Sequence, residues 1–270
     1  MGTRPKPIPD SPKEDSFMCG RYTLAKPLKT IESHFAPVHI NLEYRPSYNI
    51  APSQVSPVAI TCSGQRELTA MKWGLIPPWA KDEKIAWKLI NARSETAHEK
   101  PSFKNSLKNQ RCLIPADGFL EWKGKEKQPY YIQLKNQPLF AFAGLWSTWS
   151  NPEGKSLNTY TILTTEANEK LTPIHERMPV ILPLAQYSTW LASDSNPNAL
   201  RALLTPFPAG EIDFHPISKE VNQVSDSTNS KELLRPITLI NLEKKSILNS
   251  SLEFKGNKNG TLVQKAMASA

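Results

Sequence analysis

Cysteine is scarce in this chain of 270 residues: there are three, and no two of them form a C-x-x-C pair. Cys19, Cys62 and Cys112 therefore indicate neither a disulfide framework nor a zinc site, both of which need more thiols at defined spacing. No apolar run approaches the ~20 residues that a membrane-spanning helix requires. The first seventeen residues carry four prolines among mixed charges, with no apolar stretch of the kind a secretory signal needs. Glycine-rich phosphate loops and dinucleotide fingerprints are missing, which argues against nucleotide-driven chemistry. No internal repeat is visible. These absences point to a cytoplasmic chain that calls for no metal and no cofactor.

What is present is enough for a sizeable core: 39% hydrophobic residues and seven tryptophans. The formal charge is +8; residues 1–18 contribute none of it and residues 241–270 contribute +3, so the middle of the chain keeps +5. A moderate positive balance suits a polyanionic partner. Val55–Thr61, Leu68–Gly74, Tyr130–Leu134, Leu139–Leu145 and Thr159–Thr164 are rich in β-branched or aromatic residues and read as strands. Lys29–Phe35, Glu166–Leu171 and Leu184–Ala192 read as helices, with Pro183-Leu184 as a start signal. Strands and short helices mixed without βαβ alternation predict an α+β fold around a curved, largely antiparallel β-sheet or barrel. The expected organisation is a leader over 1–18, one domain over 19–240, and a polar tail over 241–270.

The run Met18-Cys19-Gly20-Arg21-Tyr22-Thr23-Leu24 carries the most chemistry. If the chain is exposed at Cys19, that residue offers a free α-amine and a thiol on adjacent carbons. Such a pair traps an aldehyde twice: the amine forms a Schiff base and sulfur then closes a five-membered thiazolidine. The amine titrates near ~7.7–8.0 and the thiol near ~8.5, so both are usable close to neutrality. A cation on Arg21 folded over the thiol would favour thiolate.

Five further blocks follow in order: Tyr48-Asn49-Ile50-Ala51-Pro52, Trp73-Gly74-Leu75-Ile76-Pro77-Pro78-Trp79, Asn91-Ala92-Arg93-Ser94-Glu95-Thr96, Pro115-Ala116-Asp117-Gly118-Phe119-Leu120-Glu121-Trp122, and Ile174-His175-Glu176-Arg177-Met178-Pro179. With the first run they resemble the SOS response-associated peptidase (SRAP) family, the abasic-site processing proteins, over about Cys19 to Ile240. The resemblance implies a protein that exposes an N-terminal cysteine by autoprocessing and crosslinks to the ring-opened sugar of an abasic site in single-stranded DNA. It implies a single SRAP-type domain, and single-stranded DNA as partner, including replication-fork junctions. A monomer associated with the nucleoid, with no membrane contact, is expected.

Individual residues acquire roles in this setting. Asn91 and Arg93 lie two apart, so a strand puts both on one face. An amide there can orient the terminal amine, and the guanidinium can hold a phosphate bidentately. Glu121, flanked by Leu120 and Trp122, is expected to be desolvated, which raises a carboxyl toward the range useful for proton transfer. The resemblance assigns it proton transfers in peptide cleavage and Schiff-base formation. His175 is the natural donor for protonating the sugar ring oxygen near neutral pH. Arg21, Arg93 and Arg177 are the expected phosphate contacts. Trp73 reads as core, whereas Trp79 reads as a wedge against bases beside the lesion; Ala80 follows it where some relatives carry a second aromatic. Thr164, Thr165 and Asn168 match a stretch that lines the family's pocket. His34, His39, His98 and His215 read as structural or exposed, and Cys62 and Cys112 as core or surface thiols.

Two other readings compete. A general cysteine peptidase would use Cys19, His175 and Asn91 in papain-like roles. A non-catalytic single-strand binding module would leave Glu121 and His175 structural. Strand cleavage by β-elimination, an AP lyase activity, stays open beside the crosslink, as does a start at Met1 or at Met18.

Overall fold

The computed structural model describes residues 20–35, 38–151 and 153–238. The leader, Cys19 itself and the tail over 241–270 lie outside the described residues. The chain opens with β1 (Arg21–Leu24), helix α1 (Leu28–Phe35), β2 (Val38–Asn41) and β3 (Ser47–Ile50). A long hairpin follows, β4 (Val55–Cys62) and β5 (Gln65–Trp73), then the short β6 (Asn91–Arg93) and α2 (Lys104–Asn109). The middle is all strand: β7 (Arg111–Ala116), β8 (Gly118–Lys123), β9 (Gln128–Leu134), β10 (Phe140–Ser150) and β11 (Ser156–Glu166). Finally come β12 (Arg177–Pro179), β13 (Ile181–Leu182), α3 (Tyr187–Leu191), α4 (Pro197–Ala202) and β14 (Ile212–Pro216).

These strands form a five-stranded sheet in the order β14-β9-β8-β1-β3 and a larger sheet in the order β12-β11-β10-β7-β4-β5-β2. The larger one closes on itself. β5 and β11 pair in parallel at Lys72↔Thr159 and Trp73↔Tyr160, so β5, β4, β7, β10 and β11 form a closed barrel. Together with the short helices this is the α+β, mostly antiparallel architecture expected, with parallel seams at β11–β5, β11–β6 and β2–β5.

Local chemistry explains the turns. The β4–β5 hairpin turns on Ser63 and Gly64, at φ of 50° and 78°. Two consecutive left-handed residues give the primed turn whose twist matches the flanking strands. β5 stops at Trp73 because Gly74 has φ +116°, and a Cβ there would lie 2.9 Å from the Ala86 carbonyl oxygen. The Gly74 N–H donates to Tyr160 O at 2.9 Å, carrying the barrel seam one residue further.

One helical expectation is corrected and another is met in two pieces. Over 166–171, Glu166 ends β11, paired with Arg177 of β12. The chain then turns around Asn168, whose Oδ1 accepts from the Leu171 N–H at 3.0 Å. Strand pairing and an asparagine-centred turn consume the backbone groups that a helix would need. Over 184–192, a 3-10 turn (Leu184–Gln186) precedes α3, so the segment is helical in two pieces.

The main core lies inside the barrel and between the two sheets. Trp73 is fully buried, stacked on Tyr160 with centroids 6.2 Å apart, and the edge of Tyr22 meets it at 5.2 Å. The Trp73 indole N–H donates to Ile90 O at 2.8 Å, tying the core to the segment that leads into β6. No helix among the described residues is long and apolar enough to cross a membrane.

Candidate active site

Glu121 sits on β8, between β1 and β9 in the five-stranded sheet. Alternation sends Leu120 to one face, where it packs with Tyr131, Ile217 and Val221. Phe119 and Glu121 share the other face with Tyr22, the cross-strand partner of Phe119. Glu121 is 3% exposed, so its carboxyl is largely removed from water, as its Leu120 and Trp122 neighbours predicted. The register Arg21↔Leu120, carried back one residue, sets Gly20 opposite Glu121. Gly118 starts this strand because a Cβ there would lie 2.2 Å from the Tyr131 ring.

Asn91 and Arg93 lie on β6, which pairs in parallel with β11 at Ile162↔Asn91 and Thr164↔Arg93. The two side chains share a face, as their spacing predicted, with Asn91 half-buried and Arg93 exposed. Their face of β11 also carries Tyr160, whose hydroxyl meets that of Tyr22 at 2.7 Å. The face bearing Glu121 and the face bearing Asn91 are thus opposed across the space between the two sheets.

His175 and Arg177 come from the segment joining β11 to β12. The half-buried His175 accepts at Nδ1 from the Arg177 N–H, 3.1 Å away, and Arg177 O lies 3.3 Å from the same nitrogen. Arg177 is 8% exposed. Its Nη1 and Nη2 donate to the Glu95 carboxylate oxygens at 2.7 and 2.8 Å, and Nη2 also donates to Thr164 O at 2.8 Å. Its Nε is buried with no acceptor among the described residues. Burial pushes the Glu95 carboxyl up. The Arg177 hydrogen bond, a backbone N–H and the charges of Arg177 and Arg93 together outweigh this and hold it below its ordinary value.

Arg21 projects from the opposite face of β1. One Nη donates to Asn49 Oδ1 at 3.2 Å and to Val221 O at 3.1 Å, and the guanidinium stacks 5.8 Å from the Trp122 ring centroid. Burial lowers its pKa. Trp79, by contrast, is 57% exposed. It rides on a loop closed at its base by the Leu75 N–H donating to Leu89 O at 3.1 Å and braced by Trp149 Nε1 donating to Ala80 O at 2.8 Å. This loop runs directly into β6.

The remaining candidates are more deeply placed than a binding surface suggests. Thr164 is fully buried beneath Arg177, and Thr165 is also buried. Asn168 donates to Phe207 O at 2.7 Å and caps the turn at Leu171, a structural duty. Cys62 is exposed and Cys112 buried, with burial pushing the Cys112 thiol well up. A cavity of about 680 Å³ opens at the other end of β1 and β8, around Lys26, Asp117 and Lys135; none of the candidate residues lines it.

Sequence reasoning missed Glu95, Asn49 and Trp87. Glu95 and Asn49 stood inside the motif blocks, but their partners are remote in sequence. Trp87, 42% exposed, lies in the 3-10 turn Glu83–Lys88, where lysines around an aromatic were the available signal.

An α+β barrel with a buried glutamate facing an Asn-x-Arg strand defines the class. The chain belongs to the SOS response associated peptidase (SRAP) family, whose sequence profile matches residues 18–224. It is 47% identical over 226 residues to the abasic site processing protein YoqW of Bacillus subtilis, covering 80% of this chain and 99% of that one. The abasic site processing protein HMCES of Gallus gallus is 38% identical over 230 residues, covering 73% of this chain and 68% of its own. A crystal structure of a protein from Bacteroides thetaiotaomicron superposes with a TM-score of 0.73 at 28% identity, covering 82% of this chain and all of that one.

Proposed function

We propose that this protein processes abasic sites in single-stranded DNA by forming a covalent thiazolidine crosslink through Cys19, once removal of Met18 exposes that residue as the N-terminus. The observation that carries the proposal is the burial of Glu121 opposite Gly20, the residue that follows Cys19. A carboxyl so placed is shielded from bulk water and suited to carry protons for an amine brought beside it.

The chemistry proceeds in order. His175 donates a proton to the ring oxygen of the closed sugar; the bond from that oxygen to the anomeric carbon breaks, the anomeric hydroxyl gives its proton to water, and the open-chain aldehyde results. The Cys19 amine adds to that carbonyl; Glu121 carries protons between nitrogen and oxygen, and water leaves as the Schiff base forms. The thiolate then adds to the imine carbon, nitrogen regains a proton, and the five-membered ring closes. Asn91 orients the amine. Glu121 serves the earlier hydrolysis of the Met18–Cys19 bond in the same capacity. Arg21, Arg93 and Arg177 bind phosphates, and Thr164 holds the Arg177 side chain from below. Trp79 stacks beside the lesion. If the imine forms without ring closure, β-elimination of the 3′ phosphate gives lyase activity.

One abasic oligonucleotide, a denaturing gel and a reductant test the proposal. Wild-type protein beginning at Cys19 by intact mass should give an adduct that survives heat without borohydride. Cys19→Ser, if processed, keeps the amine and should give an adduct only when borohydride traps the imine. A heat-stable adduct from Cys19→Ser at the wild-type rate, or an active wild-type protein retaining Met18, would overturn it. Hydrolysis of casein in place of adduct formation would indicate the general peptidase, and salt-sensitive reversible binding alone the non-catalytic module.

A further inference from the structure

Glu95 has no part in the chemistry just described, yet it holds both terminal nitrogens of Arg177. Its two carboxylate oxygens take Nη1 and Nη2 at 2.7 and 2.8 Å in a parallel, bidentate fork. Such forks fix the plane of a guanidinium as well as its place. The same Nη2 donates to Thr164 O at 2.8 Å, and Thr164 is fully buried on β11. Arg177 is thereby pinned between the turn after β6 and β11, at the first residue of β12, with its backbone held in register by the pair Glu166↔Arg177.

That backbone is what His175 touches. The Arg177 N–H donates to Nδ1 at 3.1 Å, so the neutral imidazole carries its proton on Nε2. Arg177 O lies 3.3 Å from the same nitrogen, so the imidazolium can donate there without moving the ring. One residue therefore serves both protonation states of the histidine, provided its main chain stays where it is.

We propose that Glu95 is a positioning residue for His175, acting through Arg177: it clamps the guanidinium, the clamp fixes the Arg177 main chain, and that main chain sets the imidazole orientation and tautomer. The inference rests on the proposed role of His175 as the donor that opens the sugar. Glu95 touches no reacting atom. Its side chain is 46% exposed while that of Arg177 is 9% exposed, so the carboxylate closes over the arginine from the solvent side.

The link between Glu95 and His175 is tested on the free protein, and its consequence on the reaction. In wild-type protein, nitrogen-15 NMR of His175 should show a neutral ring protonated at Nε2, with Nδ1 at the frequency of an acceptor. Glu95→Gln, which keeps the shape and loses the charge, should average the two nitrogen shifts toward a mixture of tautomers. With a closed-ring abasic oligonucleotide, its adduct rate at saturating DNA should fall about tenfold, as a misaligned proton donor requires. The DNA concentration giving half the maximal rate should change less than about twofold, because the phosphate-binding face keeps its cations. Glu95→Asp, which keeps the carboxylate, should recover part of the rate and guards against a folding defect in Glu95→Gln. A folded Glu95→Gln protein with an unchanged His175 spectrum, or with a wild-type saturating rate, would overturn the proposal. So would a loss confined to DNA affinity, which would make Glu95 a holder of a phosphate contact only. If wild-type protein forms no adduct, the crosslinking function fails while the spectrum still decides whether Glu95 sets the histidine.

Discussion

The hydroxyls of Tyr22 and Tyr160 meet at 2.7 Å in the buried space between the two sheets. Tyr22 belongs to β1, the strand that leads away from Cys19, and Tyr160 to β11, on which the Asn91 strand is laid. The contact couples the two halves of the candidate site. Tyr160→Phe should remove it, costing about 0.5–1.5 kcal/mol, the net worth of one intramolecular hydrogen bond. Urea unfolding monitored by tryptophan fluorescence measures this; an unchanged midpoint would show that the pair contributes nothing.

Gly74 should tolerate no side chain. Its φ of +116° penalises alanine, and so does the Ala86 carbonyl oxygen, which would stand 2.9 Å from an alanine Cβ. The cost should be at least about 1–3 kcal/mol for the backbone conformation alone. The loop carrying Trp79 should loosen, which protease susceptibility between Pro77 and Lys88 would report.

The two tryptophans of the Trp73–Trp79 block should fail in different ways. Trp73→Ala opens a cavity beneath Tyr160 and should destabilise the fold by about 3–5 kcal/mol. Trp79→Ala should leave the melting temperature near that of wild type and weaken binding to abasic single strands by about 1–3 kcal/mol. A folded Trp79→Ala protein with unchanged affinity would remove Trp79 from the DNA face.

Arg93 is exposed on β6, and salt should report its phosphate contact. Arg93→Ala should reduce the slope of log affinity against log salt by about 0.7 on single strands, the loss of one phosphate contact. Its effect should be similar for every base sequence around the lesion.

The Glu95 clamp should also show in acid. The folded pKa of Glu95 is depressed below the ordinary 4.5, so its contribution is present above that value and is lost as pH falls through the folded pKa. The stability gap between wild type and Glu95→Gln should therefore be constant near neutrality and close below about pH 4.5. Asp117 runs the other way: burial, working against hydrogen bonds from Thr23 and the Ala25 N–H, raises its pKa, so its contribution is fully present below the unfolded pKa and is lost as pH rises through the folded one. A gap that widened with acid would contradict the clamp.

Much of the site was legible in the sequence because its determinants are local. The two-residue spacing of Asn91 and Arg93 fixes a shared face in any strand, and apolar flanks make burial of Glu121 the natural outcome. Trp73 and Trp79 separate by their neighbours: one ends a strand and the other follows two prolines. The engagement of Arg177 was not legible. Its carboxylate partner lies 82 residues away, and the two meet only because β6 and β12 flank β11. The helix expected over 166–171 failed for a similar reason. Those residues have helical composition, but pairing of Glu166 with Arg177 is a tertiary fact. The parallel closure of β5 on β11 leaves no short-range signature either.

That closure bears on how the protein comes into being. Trp73 and Tyr160 are roughly ninety residues apart along the chain, so shutting the barrel is a costly long-range event in folding. β6 takes its strand pairing from β11. During synthesis, the segment holding Asn91 and Arg93 leaves the ribosome well before its partner has been made. Amide protection at Ala92 should accordingly arrive together with that at Leu163 in a refolding exchange experiment. The candidate site is thus assembled late, and a nascent or truncated chain would present Cys19 before β6 has a strand to hold Asn91.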